Sequence, residues 1–158
     1  MMCTHLAQEM DPGCQSVLKD NLRWCGQVTG QCPRESCLFG DITELIPNGT
    51  IQTGWPYSQK LSAVNGCDLS VVQQCEAHGQ ATCKVYKGCS SFDCSGLPCP
   101  DFSTAGLKRK RQGPTVPVYM AHGKYVCKSR VPLLLIECTK DHWHSYLTYF
   151  VFSTNRFG

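Results

Sequence analysis

Apolar residues fall in short runs between polar, turn-rich stretches, and the period of the runs changes along the chain. Leu6-Ala-Gln-Glu-Met-Asp-Pro12 reads as the end of a strand that runs into a helix start at Asp11-Pro12, because proline suits a first helical turn. Gly13–Trp24 carries Val17, Leu18 and Leu22 among polar residues, the spacing of an amphipathic helix. Gly26–Ser36 is polar and turn-rich. Cys37–Ile46 then reads as a strand whose end presents Asp41. Asn48-Gly49 and Pro56 mark Pro47–Pro56 as a loop. Ser58–His78 has Leu61, Val64, Leu69, Val71 and Val72 recurring among polar residues and is expected to be helical in part. Thr82–Tyr86 alternates like a short strand. Ser91–Cys94 has the look of a strand end. Val131–Thr139 is the clearest strand: a continuous apolar run ending in Glu137, the pattern of a central parallel strand buried on both faces.

Composition narrows the class. A chain of 158 residues suits one domain with a core of moderate size. The formal net charge of +3 suits a polyanion partner without demonstrating one. The cysteine count of 13 is high and odd. Met1–Ala7 lacks the basic start and apolar run of a secretory leader, so a reduced, intracellular protein is expected. No stretch approaches the roughly 18 apolar residues of a membrane span, so no membrane partner is expected. Cys32 and Cys37 are too far apart for a tight zinc knuckle, and Cys89, Cys94 and Cys99 recur without a C-x2-C pair. A cysteine-rich zinc module is therefore a minor reading, and no residue is assigned to a metal.

The stretch Ser95-Gly-Leu-Pro-Cys-Pro-Asp-Phe-Ser-Thr-Ala-Gly106 carries the chemistry. It sets a thiol in a tight turn, with Lys108-Arg-Lys-Arg111 just behind it. Nearby cations favour thiolate, which is the nucleophile. The stretch resembles the Pro-Cys catalytic motif of the cytosine-C5 DNA methyltransferases, which often reads Gly-x-Pro-Cys-Gln-x-Phe-Ser-x-Ala-Gly. That resemblance makes Cys99 the residue that attacks the base. Glu9-Met-Asp-Pro12 is similar to the family's Glu-x-Asp-Pro, whose acid binds the ribose of S-adenosylmethionine. Asp41-Ile42 is similar to the pair that accepts a hydrogen bond from the cofactor's adenine amino group. Glu137-Cys138-Thr139 stands where the family has Glu-Asn-Val, whose glutamate contacts N3 and N4 of cytosine. By the same resemblance Pro98 joins the cofactor contacts, and Ser103, Lys108, Arg109, Lys110 and Arg111 join those to nucleic acid. His122 is assigned no chemistry.

The resemblance implies an α/β fold: an incomplete Rossmann-like, S-adenosylmethionine-dependent catalytic domain with a mostly parallel sheet over residues 1–139. Residues 140–158 form an aromatic-rich tail unlike the family. The implied partner is duplex DNA with a flipped cytosine, RNA being the weaker alternative, and a nuclear location is implied in a eukaryote. Pro100 replaces the usual glutamine. The family's glycine-rich first motif and its target-recognition domain have no counterpart in these residues. The expectation is a fragment that binds S-adenosylmethionine weakly or not at all and need not turn over in isolation. A non-catalytic nucleic-acid-binding remnant and a tRNA cytosine-C5 methyltransferase are the alternatives.

Overall fold

The computed structural model describes residues 6–30, 37–85, 92–98, 100–103, 106 and 109–137. The fold is mixed α/β. The chain forms two compact units, Met1–Leu45 with Ser70–Lys87, and Ile46–Leu69 with Gly88–Gly158. The expectations for Cys99, Lys108 and the 140–158 tail fall outside the described residues.

In the first unit, strand β1 (Leu6–Gln8) leads into helix α1 (Pro12–Thr29). Asp11 caps the helix by accepting the Cys14 N–H at 2.9 Å, and that bond holds its carboxyl below the usual range. Pro12 occupies the first turn, as its sequence position indicated. The helix runs past Trp24 into the stretch expected to be turn-rich. Gly26 is tolerated there, and the first effective stop is Gly30, in the left-handed region at φ 68°.

Strand β2 (Cys37–Phe39) pairs in parallel with β1 and is wholly buried. Strands β3 (Val72–Cys75) and β4 (Ala81–Lys84) then add to it as a hairpin, giving the order β1-β2-β3-β4. Both added pairings are antiparallel, so this sheet is mixed rather than mostly parallel. The cause is local. A 3₁₀ turn at Glu76–His78 and left-handed residues Gly79 and Gln80 reverse the chain tightly, and only antiparallel neighbours share so short a connection. Gln73 is buried, and its amide is satisfied by Gln8, the Asp41 carbonyl and Glu44.

The second unit holds helix α2 (Tyr57–Gly66), strand β5 (Asp93–Gly96), helix α3 (Val116–Ser129) and strand β6 (Leu134–Glu137). Strands β5 and β6 pair in parallel from Asp93↔Leu134 to Gly96↔Glu137. Strand β6 alternates between half-buried and exposed residues instead of burying both faces, with Leu135 56% exposed. One face packs Ile136 against Leu97, Phe102 and Tyr119, and the only strand paired with it among the described residues is β5. The Phe102 and Tyr119 rings meet edge to face at 5.2 Å. Helix α3 buries Val116, Tyr119, Met120 and Ala121. Lys124 reaches from it to the carbonyls of Val64, Asn65 and Cys67, where α2 ends. Among the described residues, no helix is long and apolar enough to cross a membrane.

Candidate functional site

Among the described residues, all four strands that pair in parallel carry a sequence-predicted site residue at or just beyond their carboxyl ends. Glu9 follows β1, and its N–H continues the ladder to the Phe39 carbonyl at 2.9 Å. Asp41 stands two residues beyond β2. The first unit therefore brings these carboxylates together on adjacent strand ends, where open α/β sheets bind ligands. Each is oriented by a backbone N–H: Glu9 Oε1 accepts from Asp11 at 2.8 Å, and Asp41 Oδ1 accepts from Thr43 at 2.8 Å. Glu9 Oε2 and Asp41 Oδ2 have no partner among the described residues. Two oriented acceptors fit a ribose diol and an exocyclic amine, which are both donors.

In the second unit, Glu137 ends β6 directly beside Gly96, the last residue of β5. The Leu97 N–H donates to the Glu137 carbonyl at 3.1 Å, and the Glu137 side chain is exposed. Pro98 and Pro100, which flank Cys99 in sequence, are both held. The Tyr119 hydroxyl donates to the Pro98 carbonyl, and the Pro100 carbonyl packs so close to Gly106 that no Cβ fits there. Asp101 is buried, 1% exposed, and accepts both the N–H (3.0 Å) and the hydroxyl (2.6 Å) of Thr115, at the start of α3. Its carboxyl lies against Gly113 where a side chain would begin. The loop around Cys99 is thus tied to α3 on both sides.

Ser103 closes the turn by accepting the Gly106 N–H at 3.2 Å. Arg109, Lys110 and Arg111 are exposed, and the Arg111 guanidinium lies 5.2 Å above the Tyr57 ring.

His122 is a core histidine, 3% exposed. Ser95 donates its hydroxyl to Asp93 and lies 2.8 Å from His122 Nε2, which is 3.4 Å from Asp93 Oδ1. Burial opposes ionisation of Asp93, but hydrogen bonds from His122 and Ser95 outweigh it and hold the carboxyl below its usual range. Ser95 and Asp93 meet the same ring nitrogen, so this cluster lacks the relay geometry of a nucleophilic triad.

A constellation that the sequence reading passed over lies in the first unit. Cys37, Cys75, His78 and Cys83 bring their ligand atoms within 4.8 Å of one another. His78 Nδ1 is 3.3 Å from the sulfurs of Cys75 and Cys83 and 3.8 Å from that of Cys37. Desolvation and the neighbouring Cys37 and Cys75 thiols push the Cys83 thiol up to about 11.

No family model, curated protein or solved structure matches the chain.

The signal for Glu137 was an apolar run ending in a carboxylate, and for Glu9, Asp41 and the Pro-Cys turn it was chiefly the likeness to the family's motifs. The signal for the cysteine–histidine cluster was Cys75-x2-His78-x4-Cys83, in which a histidine takes the second place of the pair that a C-x2-C search looks for. The remaining ligand, Cys37, is far away in sequence and reaches the cluster only through β2–β3 pairing.

Proposed function

We propose that the chain is the catalytic core of a cytosine-C5 methyltransferase acting on duplex DNA, with a Rossmann-like ancestry in its parallel strand pairs. The observation that carries this reading is the β5–β6 register. It sets the Glu137 carboxylate beside Gly96, at the root of the Pro-Cys loop, while Tyr119 and Asp101 hold the residues around Cys99. The resemblance assigns these same residues to attack on the base and to its recognition.

Cytosine C5 is a poor nucleophile, so covalent addition comes first. The Cys99 thiolate forms an S–C6 bond, and the displaced π electrons gather on the ring toward C5 and N3. Glu137, as an acid hydrogen-bonded at N3, offsets that charge. When bound, S-adenosylmethionine supplies an electrophilic methyl on its sulfonium sulfur. After transfer, loss of the C5 proton to a base re-forms the C5=C6 bond and expels the Cys99 thiolate. Glu9 and Asp41 would hold the ribose and the adenine of the cofactor, through the oxygens that their local turns leave open. The resemblance also assigns Pro98 a contact with the cofactor. Ser103, Lys108, Arg109, Lys110 and Arg111 would contact phosphates, which makes affinity fall with salt. Action on DNA implies an intracellular place of work, the nucleus in a eukaryote.

The test is a covalent trap. Duplex DNA with 5-fluorocytosine is incubated with the chain and S-adenosylmethionine, with tRNA carrying the same base in parallel. Fluorine at C5 blocks the final elimination. The expected result is a denaturation-resistant adduct on DNA that is lost in Cys99→Ser. An adduct on tRNA alone would move the substrate to RNA. An adduct that persists in Cys99→Ser would remove the proposed nucleophile.

A further inference from the structure

We propose that Cys37, Cys75, His78 and Cys83 form a closed, tetrahedral site for a zinc-class divalent cation, which ties β2 to the β3–β4 hairpin. The ligand set comes first. Three thiols and one imidazole, with no carboxylate among them, are the soft and borderline donors that select zinc over magnesium or calcium. The geometry comes next. With metal–sulfur bonds of about 2.3 Å and a metal–nitrogen bond of about 2.05 Å, a tetrahedron puts nitrogen roughly 3.6 Å from each sulfur. The observed separations from His78 Nδ1 are 3.3, 3.3 and 3.8 Å. The nitrogen–sulfur separations are thus already close to those that a shared cation imposes, and all four ligand atoms lie within 4.8 Å of one another.

The backbone shows why they converge. Cys75 ends β3, the 3₁₀ turn carries His78 back over the strand end, and Gly79 and Gln80 turn the chain so that β4 brings Cys83 alongside. Cys37 opens β2, and both it and Cys75 are fully buried. The described ladder is thin at this junction. β2 and β3 share one register pair, Phe39↔Cys75, whereas β3 and β4 share four. A cation held by one ligand from β2 and three from the hairpin supplies the cross-link that hydrogen bonding there does not. Four protein ligands leave no open coordination position, so the site is structural rather than catalytic. Small units commonly need such a staple.

The test begins with metal analysis of the full chain, purified with reductant and without chelator. The expected content is one zinc per chain. After removal of the metal, Co²⁺ is expected to rebind with the intense visible bands of a tetrahedral thiolate site, and Zn²⁺ to bleach them. Cys37→Ser and Cys83→Ser should lose the metal, whereas Cys14→Ser, which changes an exposed thiol outside the cluster, should keep it. His78→Cys guards against simple misfolding: four thiolates should still bind Co²⁺, with a shifted spectrum. The proposal is overturned if the reduced chain neither carries zinc nor takes up Co²⁺. A disulfide between two of Cys37, Cys75 and Cys83 in the freshly purified chain, or equal metal loss in Cys14→Ser, overturns it as well.

Discussion

Leu97 donates its backbone N–H to the carbonyl of Glu137 across 3.1 Å, so β5 and β6 stay in register to their last residues. Glu137, with its exposed carboxylate, thereby stands at the root of the Pro-Cys loop. Glu137→Gln keeps the hydrogen bond from Leu97, which uses the main chain, and removes the acid. Turnover is expected to fall about 10²–10⁴-fold, the usual weight of a positioned acid. Stability should change by no more than about 0.5 kcal/mol, as for an ordinary surface position. Steady-state kinetics paired with urea denaturation check both halves.

The loop itself depends on Asp101. Its carboxyl accepts two bonds from Thr115 and is buried. Asp101→Ala leaves the Thr115 donors unmatched and is expected to cost about 2–4 kcal/mol, given roughly 1.5–3 for a bond to a charged group. Gly113→Ala should be comparably harmful, because the new methyl would occupy the space of that carboxyl. Equilibrium unfolding of both variants is the measurement. A fully stable Gly113→Ala chain would contradict the packing described.

Lys124 serves the end of α2. Its ammonium donates to the carbonyls of Val64, Asn65 and Cys67 around the last turn, where the Val64 carbonyl also accepts the Cys67 N–H and thiol. Lys124→Met keeps the apolar stem and removes the donor. A loss of about 1 kcal/mol is expected from the hydrogen bonds removed, and hydrogen exchange should quicken in Tyr57–Gly66 before other elements.

Asp93 gives the pH dependence. Its carboxyl is held below the ordinary value of 3.8 in the folded chain, against desolvation, by His122 and Ser95. A depressed acid contributes its stabilisation in full above the unfolded value. That stabilisation is lost as pH falls below about 3.8, through the folded value. Acid unfolding of Asp93→Asn should therefore show a shallower fall in this window than the parent chain. An unchanged acid limb would mean that other carboxylates set it.

Much of this was readable in the residues, for physical reasons. Asp11-Pro12 marked the start of α1 because a cap and a fixed φ are local properties. The strand end at Glu137 was readable because an apolar run breaks off at a charge, whereas Glu9 and Asp41 stood out chiefly through their likeness to the family's motifs. The length of α1 was not, since Cys25–Thr29 lacks a strong breaker before Gly30. The second strand of the hairpin was readable in the alternation of Thr82–Tyr86, but the first was not, for Val71 and Val72 continue a helix-like spacing beyond Gly66 that the chain abandons at Cys67, which is extended. The exposed alternation of β6 escaped too, because an apolar run predicts burial without saying what covers the second face. The cysteine–histidine cluster depends on a long-range strand pairing, Phe39↔Cys75, that no local pattern encodes.

The most direct measurement of the central claim needs no cofactor. Addition of the Cys99 sulfur at C6 makes C5 basic enough to take a proton from water. Reversal of the addition then expels the original hydrogen from C5. DNA carrying tritium at C5 of cytosine should therefore release it to solvent in the presence of the chain, and the release should vanish in Cys99→Ser and slow sharply in Glu137→Gln. Release no faster than from DNA alone, with the chain folded and bound to the DNA, would contradict covalent attack by Cys99.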